Sequence, residues 1–281
     1  SGAAWTRATR GLSLDQACNL LGNYETAYHC LIARGRLQAG ETVLVNGASG
    51  YFGSAAVILS VALGASRVVA AGRVRTALER LRAVAGPRVA TVTLSGDRSR
   101  DTEQLVEAAG GRADLALDIV GHANTATATS ACLYALRRGG RLVMMGSADV
   151  PLELGFYDMP ANDWHVMGCF MYPADVPARL AALAASGQLD LGVMNVRAFP
   201  LDRLEDALAA GTPITAGGIP LRVTKPAWAR FAFPGEATAA DMHMVRRVAE
   251  CFASFGPAAI RFGKRIHDFF NNPVLGLHDD W

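Results

Sequence analysis

The stretch from Glu41 to Gly53, ETVLVNGASGYFG, constrains the fold more than any other part of the chain. Thr42 to Val45 is a short apolar run rich in β-branched residues, which is typical of a buried strand. Three glycines follow it at every third residue, and Ser54 to Leu63 then has the small and aliphatic residues of a buried helix. Glycine permits positive φ and lets an anion approach the main chain, while the first N–H groups of the helix face that anion. The stretch therefore predicts a strand, glycine turn and helix that hold the pyrophosphate of a dinucleotide.

The glycine turn alone is a weak signal, because such turns are common and Ala48 stands at the first glycine position of the G-x-G-x-x-G pattern. The next apolar run, Arg67 to Ala71, ends at Gly72, where a nucleotide-binding fold has its second loop. Strand-like and helix-like segments then alternate, which predicts an α/β fold: a Rossmann doubly wound parallel sheet of six strands in the order 3-2-1-4-5-6. The later predicted strands are Val89 to Leu94, Ala113 to Val120, Arg141 to Gly146 and His165 to Phe170. The predicted helices besides Ser54 to Leu63 cover residues 11–38, Val74 to Ala85, Thr102 to Ala109, Thr125 to Leu136 and Val176 to Ser186.

Composition limits the partners that we expect. The 281 residues are 51% hydrophobic and carry a formal charge of +2 with acids and bases interspersed, which argues against nucleic acid. The longest apolar runs, such as Val57 to Leu63, are too short to span a membrane, and the first residues do not read as a signal peptide. Five scattered cysteines without a C-x-x-C pair predict free buried thiols in a reducing cytoplasm. A small-molecule substrate is the partner that we expect.

Several motifs in order give the chain a resemblance to a known family. Residues 12–226 resemble the coenzyme-binding half of the medium-chain dehydrogenase/reductase superfamily, specifically its zinc-free quinone oxidoreductase-like and alcohol dehydrogenase-like branch. The resemblance implies that the GroES-like catalytic domain, which precedes this half in the family, is absent here. It also places Gly22 at the last zinc-ligand position, so we expect no zinc. The motifs that carry the resemblance are Asn23 to His29, Ala48 to Gly53, Leu117 to Gly121, Arg138 to Arg141 and Ala198 to Leu201.

The resemblance covers about three quarters of the chain, which predicts two domains. We expect a dinucleotide-binding domain over residues 1–226, with a helical lead, and a helical extension over residues 227–281. In the extension, Thr238 and Asp241 form a capping box that opens one amphipathic helix, and a second follows Gly256. The sequence therefore predicts a C-terminal helical hairpin.

The end of the second predicted strand indicates which nicotinamide coenzyme binds. NAD-specific sites usually place an acid there for the ribose hydroxyl, but this chain has Arg73 and Arg75. Guanidinium groups pair bidentately with phosphate, so the 2′-phosphate of NADPH is favoured over NADH. The alternative is that both arginines are solvated residues at the start of a helix.

The predicted coenzyme site consists of loops that follow strand ends. Tyr51 and Phe52 replace the Gly and Val that the family often has: Phe52 is expected to pack beneath the glycine loop, and Tyr51 to cover the pyrophosphate or partly obstruct it. The resemblance places the residues after strands 5 and 6 beside the nicotinamide. The predicted coenzyme-binding residues are Ala48, Ser49, Gly50, Tyr51, Phe52, Gly53, Gly72, Arg73, Arg75, Val120, Gly121, Gly146, Ser147, Phe170 and Met171.

Catalytic candidates are few. The resemblance places Asn23, Tyr24 and Thr26 near the nicotinamide end, where an amide or hydroxyl could orient the ring or a substrate carbonyl. Helix capping and core packing explain these three residues at least as well. Asp118 is expected to be a structural acid at the end of strand 4.

Two functions stay open at this point. The first is a zinc-independent, NAD(P)H-dependent oxidoreductase that transfers hydride to a carbonyl, quinone or activated alkene. The second is a non-catalytic NADPH-binding module or subunit that acts through association, its catalytic lobe missing or supplied in trans. Strand 6 is expected at the sheet edge, where it would form a homodimer with a continued sheet.

Overall fold

A computed structural model describes residue 16 and residues 20–121, 123–193, 197–200 and 221–224. All of them belong to one compact unit, Ala4–Thr224. The predicted hairpin over residues 227–281 lies outside the described residues, and the predicted domain boundary stays a prediction. No helix in the described part of the chain is long and apolar enough to cross a membrane.

Six parallel strands form the central sheet in the order β3-β2-β1-β4-β5-β6, which confirms the predicted topology. Asn46, the last residue of β1, is in register with Ala71 of β2 and with Asp118 of β4. The carboxyl ends of the central strands therefore meet at one edge of the sheet. The strands are β1 (Thr42–Asn46), β2 (Arg67–Gly72), β3 (Val89–Thr93), β4 (Ala113–Asp118), β5 (Leu136–Met144) and β6 (His165–Gly168).

Helices cover both faces of the sheet because successive strand residues point to opposite sides. Val43 and Val45 pack with helices α1, α2, α3 and α7 on one face, whereas Leu44 packs with α4 and α5 on the other. Helix α1 consists of an α-helical turn, Glu25–His29, between two π-helical turns, Leu20–Tyr24 and Cys30–Arg34. The other helices are α2 (Tyr51–Ala62), α3 (Arg75–Ala85), α4 (Arg98–Ala109), α5 (Thr127–Tyr134), α6 (Asp158–Asn162) and α7 (Val176–Ala185).

Several predicted boundaries were wrong. The helical segment predicted over residues 11–38 extends beyond the observed helix, which ends at Arg34; Gly35 follows it and packs closely against the Leu115 side chain. Strand β5 starts at Leu136 instead of Arg141, with a register shift against β4. The five-residue helix α6 was not predicted at all.

Two further strands, β7 (Arg197–Pro200) and β8 (Leu221–Thr224), pair in parallel as a separate two-stranded sheet. Their backbone register joins Arg197 to Leu221 and Pro200 to Thr224. The coenzyme-site predictions all fall on the larger sheet, so the site is described there.

Candidate functional site

The glycine loop is fastened to the end of β2. Gly47 has φ of +90°, and the N–H groups of Gly47 and Ala48 both donate to the carbonyl of Ala71, at 3.0 and 2.9 Å. A Cβ at Gly72 would lie 3.0 Å from the Ser49 hydroxyl oxygen, so Ser49 lies directly against Gly72. The structure thus brings together the first two predicted loops of the site.

Gly50 and Gly53 have different reasons to be glycine. A Cβ at Gly53 would lie 2.2 Å from the carbonyl oxygen of Gly47 and 2.5 Å from the Cα of Ala48, so the loop and α2 can meet only without a side chain. Gly50 is extended, and a Cβ there would make an ordinary contact, 3.6 Å from the same carbonyl. The protein itself therefore requires Gly53, whereas Gly50 leaves the loop surface open.

Tyr51 and Phe52 form the first turn of α2, and both are half-buried. Both pack against the apolar cluster on the α1 and α2 face of the sheet. This packing anchors the N-terminal turn of the helix. Whether Tyr51 covers a pyrophosphate stays a prediction.

The loops after β4 and β5 touch each other at the same edge. A Cβ at Gly146 would lie 2.3 Å from the carbonyl oxygen of Val120, and a Cβ at Gly121 would lie 3.0 Å from the Ser147 hydroxyl. The N–H of Gly146 also donates to the Asp118 carbonyl, at 3.1 Å. The second group of predicted coenzyme residues is therefore contiguous in space.

Asp118 is a buried acid that joins three elements. Its Oδ1 accepts from Asn46 Nδ2 at 3.0 Å and from the Val120 N–H at 3.2 Å, and its Oδ2 accepts from the Thr129 hydroxyl at 2.5 Å. Burial raises the pKa of Asp118, while the hydrogen bonds from Thr129, Val120 and Asn46 oppose that rise. These contacts fit the structural role expected for Asp118.

Asn46 and Thr129 complete this cluster, and neither was predicted from the sequence as a residue of the site. A polar residue at the end of an otherwise apolar buried strand was the available signal for Asn46. Its Oδ1 is buried and has no hydrogen-bond partner among the described residues. The cluster ties the carboxyl ends of β1 and β4 to helix α5, directly beneath the loops of the site.

Replacing Asp118 with asparagine is expected to remove a pH-dependent part of the stability. The pKa of Asp118 is raised in the folded protein, so protonated Asp118 adds to the free energy of unfolding. This stabilisation is fully present below the pKa that Asp118 has in the unfolded chain, and it is lost as pH rises through the pKa that it has in the folded protein. In D118N, Oδ1 still accepts from Asn46 and the new amide can donate to Thr129, so the variant should match or exceed the wild type at neutral pH. Denaturant unfolding at several pH values measures this.

The control for that prediction is Asp118→Ala. It leaves the Asn46 amide and the Thr129 hydroxyl buried without their acceptor, which costs about 1–3 kcal/mol of unfolding free energy. If D118N lost as much stability as D118A, the negative charge itself would be stabilising and our account of the cluster would be wrong.

The two arginines at the end of β2 have different surroundings. Arg73 directly follows Gly72 and is exposed. Arg75, in the first turn of α3, donates from Nε to Glu79 Oε1 at 2.7 Å. Arg73 therefore stands at the open edge of the sheet, whereas Arg75 is already paired along its own helix.

Phe170 and Met171 follow β6 at the same edge. The N–H of Cys169 donates to the carbonyl of Met144, at 2.9 Å, and so continues the β5–β6 pairing. Phe170 is 41% exposed and Met171 39% exposed, and Met171 has φ of +51°, a conformation that a side chain disfavours. Two apolar side chains are thus held at the surface beside the loop after β5.

The catalytic candidates lie on α1. Tyr24 and Thr26 are 0% and 3% exposed, and Asn23 is half-buried. The Tyr24 hydroxyl has no hydrogen-bond partner within the described residues. Core packing, the alternative explanation, accounts for Tyr24 and Thr26, and the catalytic role of all three stays a prediction. Glu25, which is buried next to them, forms a hydrogen bond with Tyr172. Burial is the larger cause of the raised pKa of Tyr172, and this hydrogen bond is the second cause.

No group of three or more His, Cys, Asp or Glu side chains in the described part of the chain is arranged to hold a metal ion. Independence from zinc nevertheless stays a prediction.

The strand order and the glycine loop at the reversal between β1 and β4 define a Rossmann-type α/β domain. Residues 52–186 match the family model described as zinc-binding dehydrogenase. This stretch lies in the α/β domain, which is similar to the coenzyme-binding half of the medium-chain dehydrogenase/reductase superfamily.

Individual relatives are consistent with this similarity. The chain is 33% identical over 138 residues to the spectinabilin polyketide synthase system protein NorB of Streptomyces orinoci. The matched stretch covers 49% of this chain and 6% of NorB. The structure of AibC is similar with a TM-score of 0.61 and 25% identity, over 74% of this chain and 56% of AibC. Alcohol dehydrogenase TADH from Thermus sp. ATN1 has a TM-score of 0.60 and 25% identity, over 75% of this chain and 60% of TADH. The chain thus spans less than two thirds of each relative.

Proposed function

We propose that this domain binds a nicotinamide dinucleotide, NADPH in preference to NADH, as the coenzyme half of a zinc-independent oxidoreductase. The observation that carries the proposal is the meeting of three loops at one sheet edge: the glycine loop, the end of β2, and the touching loops after β4 and β5. Ligands of open parallel sheets bind at such a reversal of strand order. The relatives named above include an alcohol dehydrogenase, which supports hydride transfer as the reaction class.

The residues present fit a dinucleotide. The close contact between Gly53 and the glycine loop brings the first turn of α2 against the loop, and the N-terminus of a helix attracts the negative charge of a phosphate. Gly50 adds no side chain to the surface that a pyrophosphate would approach. Arg73 supplies an exposed cation at the end of β2, where an acid would favour NADH. The bound coenzyme would supply the hydride.

The residues beside the expected nicotinamide position would orient the nicotinamide ring and would not transfer protons. Gly146, Ser147, Phe170 and Met171 can enclose a ring, but none of them carries a carboxylate, imidazole or ammonium group. Asp118 is buried and already accepts three hydrogen bonds. The carbonyl, quinone or activated alkene would therefore receive its proton from another group.

This observation also favours the second candidate function. If no residue beside the nicotinamide donates a proton, the domain would act as a non-catalytic NADPH-binding module, or as a subunit that receives its catalytic lobe in trans. The small share of NorB that the chain covers is compatible with a part of a larger enzyme. We keep this alternative beside the first.

We also propose that two copies of the chain form a homodimer through strand β6. We further propose that the protein is located in the cytoplasm. Strand β6 lies at one of the two edges of the six-stranded sheet, and an edge offers unpaired backbone groups to a second copy. Phe156 and Tyr157, 93% and 78% exposed, precede this strand and would add apolar area to the interface. Buried free thiols such as Cys132 suit a reducing compartment.

A titration of the full chain with NADPH and with NADH, followed by nicotinamide fluorescence, tests the proposal. NADPH is expected to bind at least about tenfold more tightly than NADH, since a charged hydrogen bond contributes about 1.5–3 kcal/mol. A panel of quinones, aldehydes and enals then separates the two functions: turnover supports the oxidoreductase, and binding without turnover supports the module. Binding of neither coenzyme would overturn both.

A further inference from the structure

The buried polar cluster of Asn46, Asp118 and Thr129 reaches a backbone group of the candidate coenzyme site. The three side chains are 1%, 7% and 8% exposed, and they come from the ends of β1 and β4 and from α5. Asp118 Oδ1 accepts from the N–H of Val120 at 3.2 Å, two residues after Asp118 in the loop that follows β4. The cluster therefore holds a loop as well as three elements of the core.

Asn46 and Thr129 fix the Asp118 carboxylate from two sides. Asn46 Nδ2 donates to Oδ1 at 3.0 Å, and the Thr129 hydroxyl donates to Oδ2 at 2.5 Å. The Oδ1 of Asn46 is buried without a hydrogen-bond partner among the described residues, which is unfavourable for the folded state. An apolar side chain would avoid that cost, but it could not donate to Asp118. The contribution of Asn46 is thus the orientation of the carboxylate toward Val120.

The position of Val120 sets the position of the loop after β5. A Cβ at Gly146 would lie 2.3 Å from the carbonyl oxygen of Val120 and 2.9 Å from its nitrogen, so the two backbones are in direct contact. The main-chain carbonyl of Asp118 also accepts from the N–H groups of Met145 and Gly146, at 2.8 and 3.1 Å. Asp118 therefore holds both loops, one through its carboxylate and the other through its carbonyl.

These two loops lie on one side of the reversal in strand order. A dinucleotide crosses such a reversal, and the end of β2 contacts the ribose of its adenosine half. Its other half then extends over the ends of β4 and β5. We propose that Asp118 is a positioning residue for the nicotinamide half of the coenzyme, which it serves by holding the loops after β4 and β5 in contact. The inference rests on the coenzyme binding proposed above.

Calorimetric titration of the full chain with NADPH and with adenosine 2′,5′-bisphosphate tests the inference, because the second compound lacks the nicotinamide half. In Asp118→Ala, NADPH should bind about tenfold more weakly, the equivalent of one hydrogen bond, and the bisphosphate should change by less than about twofold. Asp118→Asn keeps an oxygen for Asn46 and Val120 and an amide for Thr129. This conservative variant should therefore bind NADPH within about threefold of the wild type.

Asp101 gives a matched control on the other side of the reversal. It is fully buried and also accepts three hydrogen bonds, from the N–H and hydroxyl of Ser95 at 2.8 and 2.7 Å and from the N–H of Gly96 at 3.0 Å. These bonds hold the loop after β3. Asp101→Ala should therefore lower stability as Asp118→Ala does, but it should change the affinities for NADPH and for the bisphosphate by the same factor.

Thr129→Val tests the cluster without changing Asp118, and it decides the matter if Asp118→Ala does not fold. Thr129 lies on α5, so its effect reaches the loop through the carboxylate, and NADPH binding alone should weaken, by about threefold. Equal losses for both ligands in Asp118→Ala or Thr129→Val, unchanged NADPH binding in both variants, or equal NADPH losses in Asp118→Asn and Asp118→Ala would overturn the inference and leave coenzyme binding intact. A wild-type chain that bound neither ligand would overturn the proposed function and the inference together.

Discussion

Gly53→Ala is expected to destabilise the α/β domain by about 3 kcal/mol, near the top of the range for overpacking a well-packed site. A Cβ there would lie 2.2 Å from the Gly47 carbonyl oxygen and 2.5 Å from the Cα of Ala48. Both are backbone atoms, so no side-chain rotation can relieve the overlap. Gly47 is in turn held by its hydrogen bond to Ala71. Moving the loop would therefore disturb the junction between β1 and β2.

Thermal unfolding measures this effect. For a domain of this size, about 3 kcal/mol corresponds to a fall in Tm of roughly 6–12 °C. Because the loop and the first turn of α2 must separate, NADPH binding should fall together with stability. A Gly53→Ala variant with wild-type Tm would show that the contact between the loop and the helix is looser than the structure has it.

Gly50→Ala is the matched control, three residues away in the same loop. A Cβ there would lie 3.6 Å from its nearest neighbour, the Gly47 carbonyl oxygen, and the backbone is extended, so Tm should stay within about 2 °C of the wild type. Coenzyme binding should nevertheless weaken, since the methyl group occupies the surface that a pyrophosphate would approach. The two variants thus separate the structural glycine from the binding glycine. If Gly50→Ala bound coenzyme normally, the loop would not contact the pyrophosphate there.

The topology could be predicted from the sequence because local patterns carry it. Apolar, β-branched runs such as Thr42 to Val45 predict buried strands, and glycines that follow those strands, such as Gly53 and Gly146, predict close backbone packing. The start of β5 could not be predicted in this way. Arg137 and Arg138 look like loop residues, but they pair with Asp114 and Asp163 respectively, partners that only the folded chain brings near.

The candidate site, like the fold, could be predicted from the sequence only in part. The positions of the loops could be predicted because a nucleotide-binding fold fixes where loops fall relative to strands, and coenzyme binding by their residues stays a prediction. The Asn46–Asp118 hydrogen bond joins residues 72 positions apart. The local sequence marks Asn46 as a polar residue at the end of an apolar run, but it does not show that Asp118 is its partner, because only the folded sheet brings the two strands together.

Replacing Arg73 with alanine is expected to weaken NADPH binding by about 10- to 100-fold and to change NADH binding by less than about threefold. The coenzymes differ only in the 2′-phosphate, and Arg73 is the exposed cation that directly follows Gly72 at the end of β2. Loss of a charged hydrogen bond to that phosphate would remove about 1.5–3 kcal/mol of NADPH binding energy. Fluorescence titrations of both coenzymes, at one ionic strength, measure the ratio.

Two arginines of helix α3, which begins two residues after Arg73, give the controls for the Arg73 variant. Arg75 is paired with Glu79, so Arg75→Ala should weaken NADPH binding less than Arg73→Ala does. Arg80 is exposed farther along α3, and Arg80→Ala changes the net charge equally without touching the end of β2. Equal losses in Arg73→Ala and Arg80→Ala would indicate a general attraction to anions, screened by salt. Equal losses for NADPH and NADH in Arg73→Ala would place Arg73 on a part that the coenzymes share, and the preference for NADPH would then need another origin.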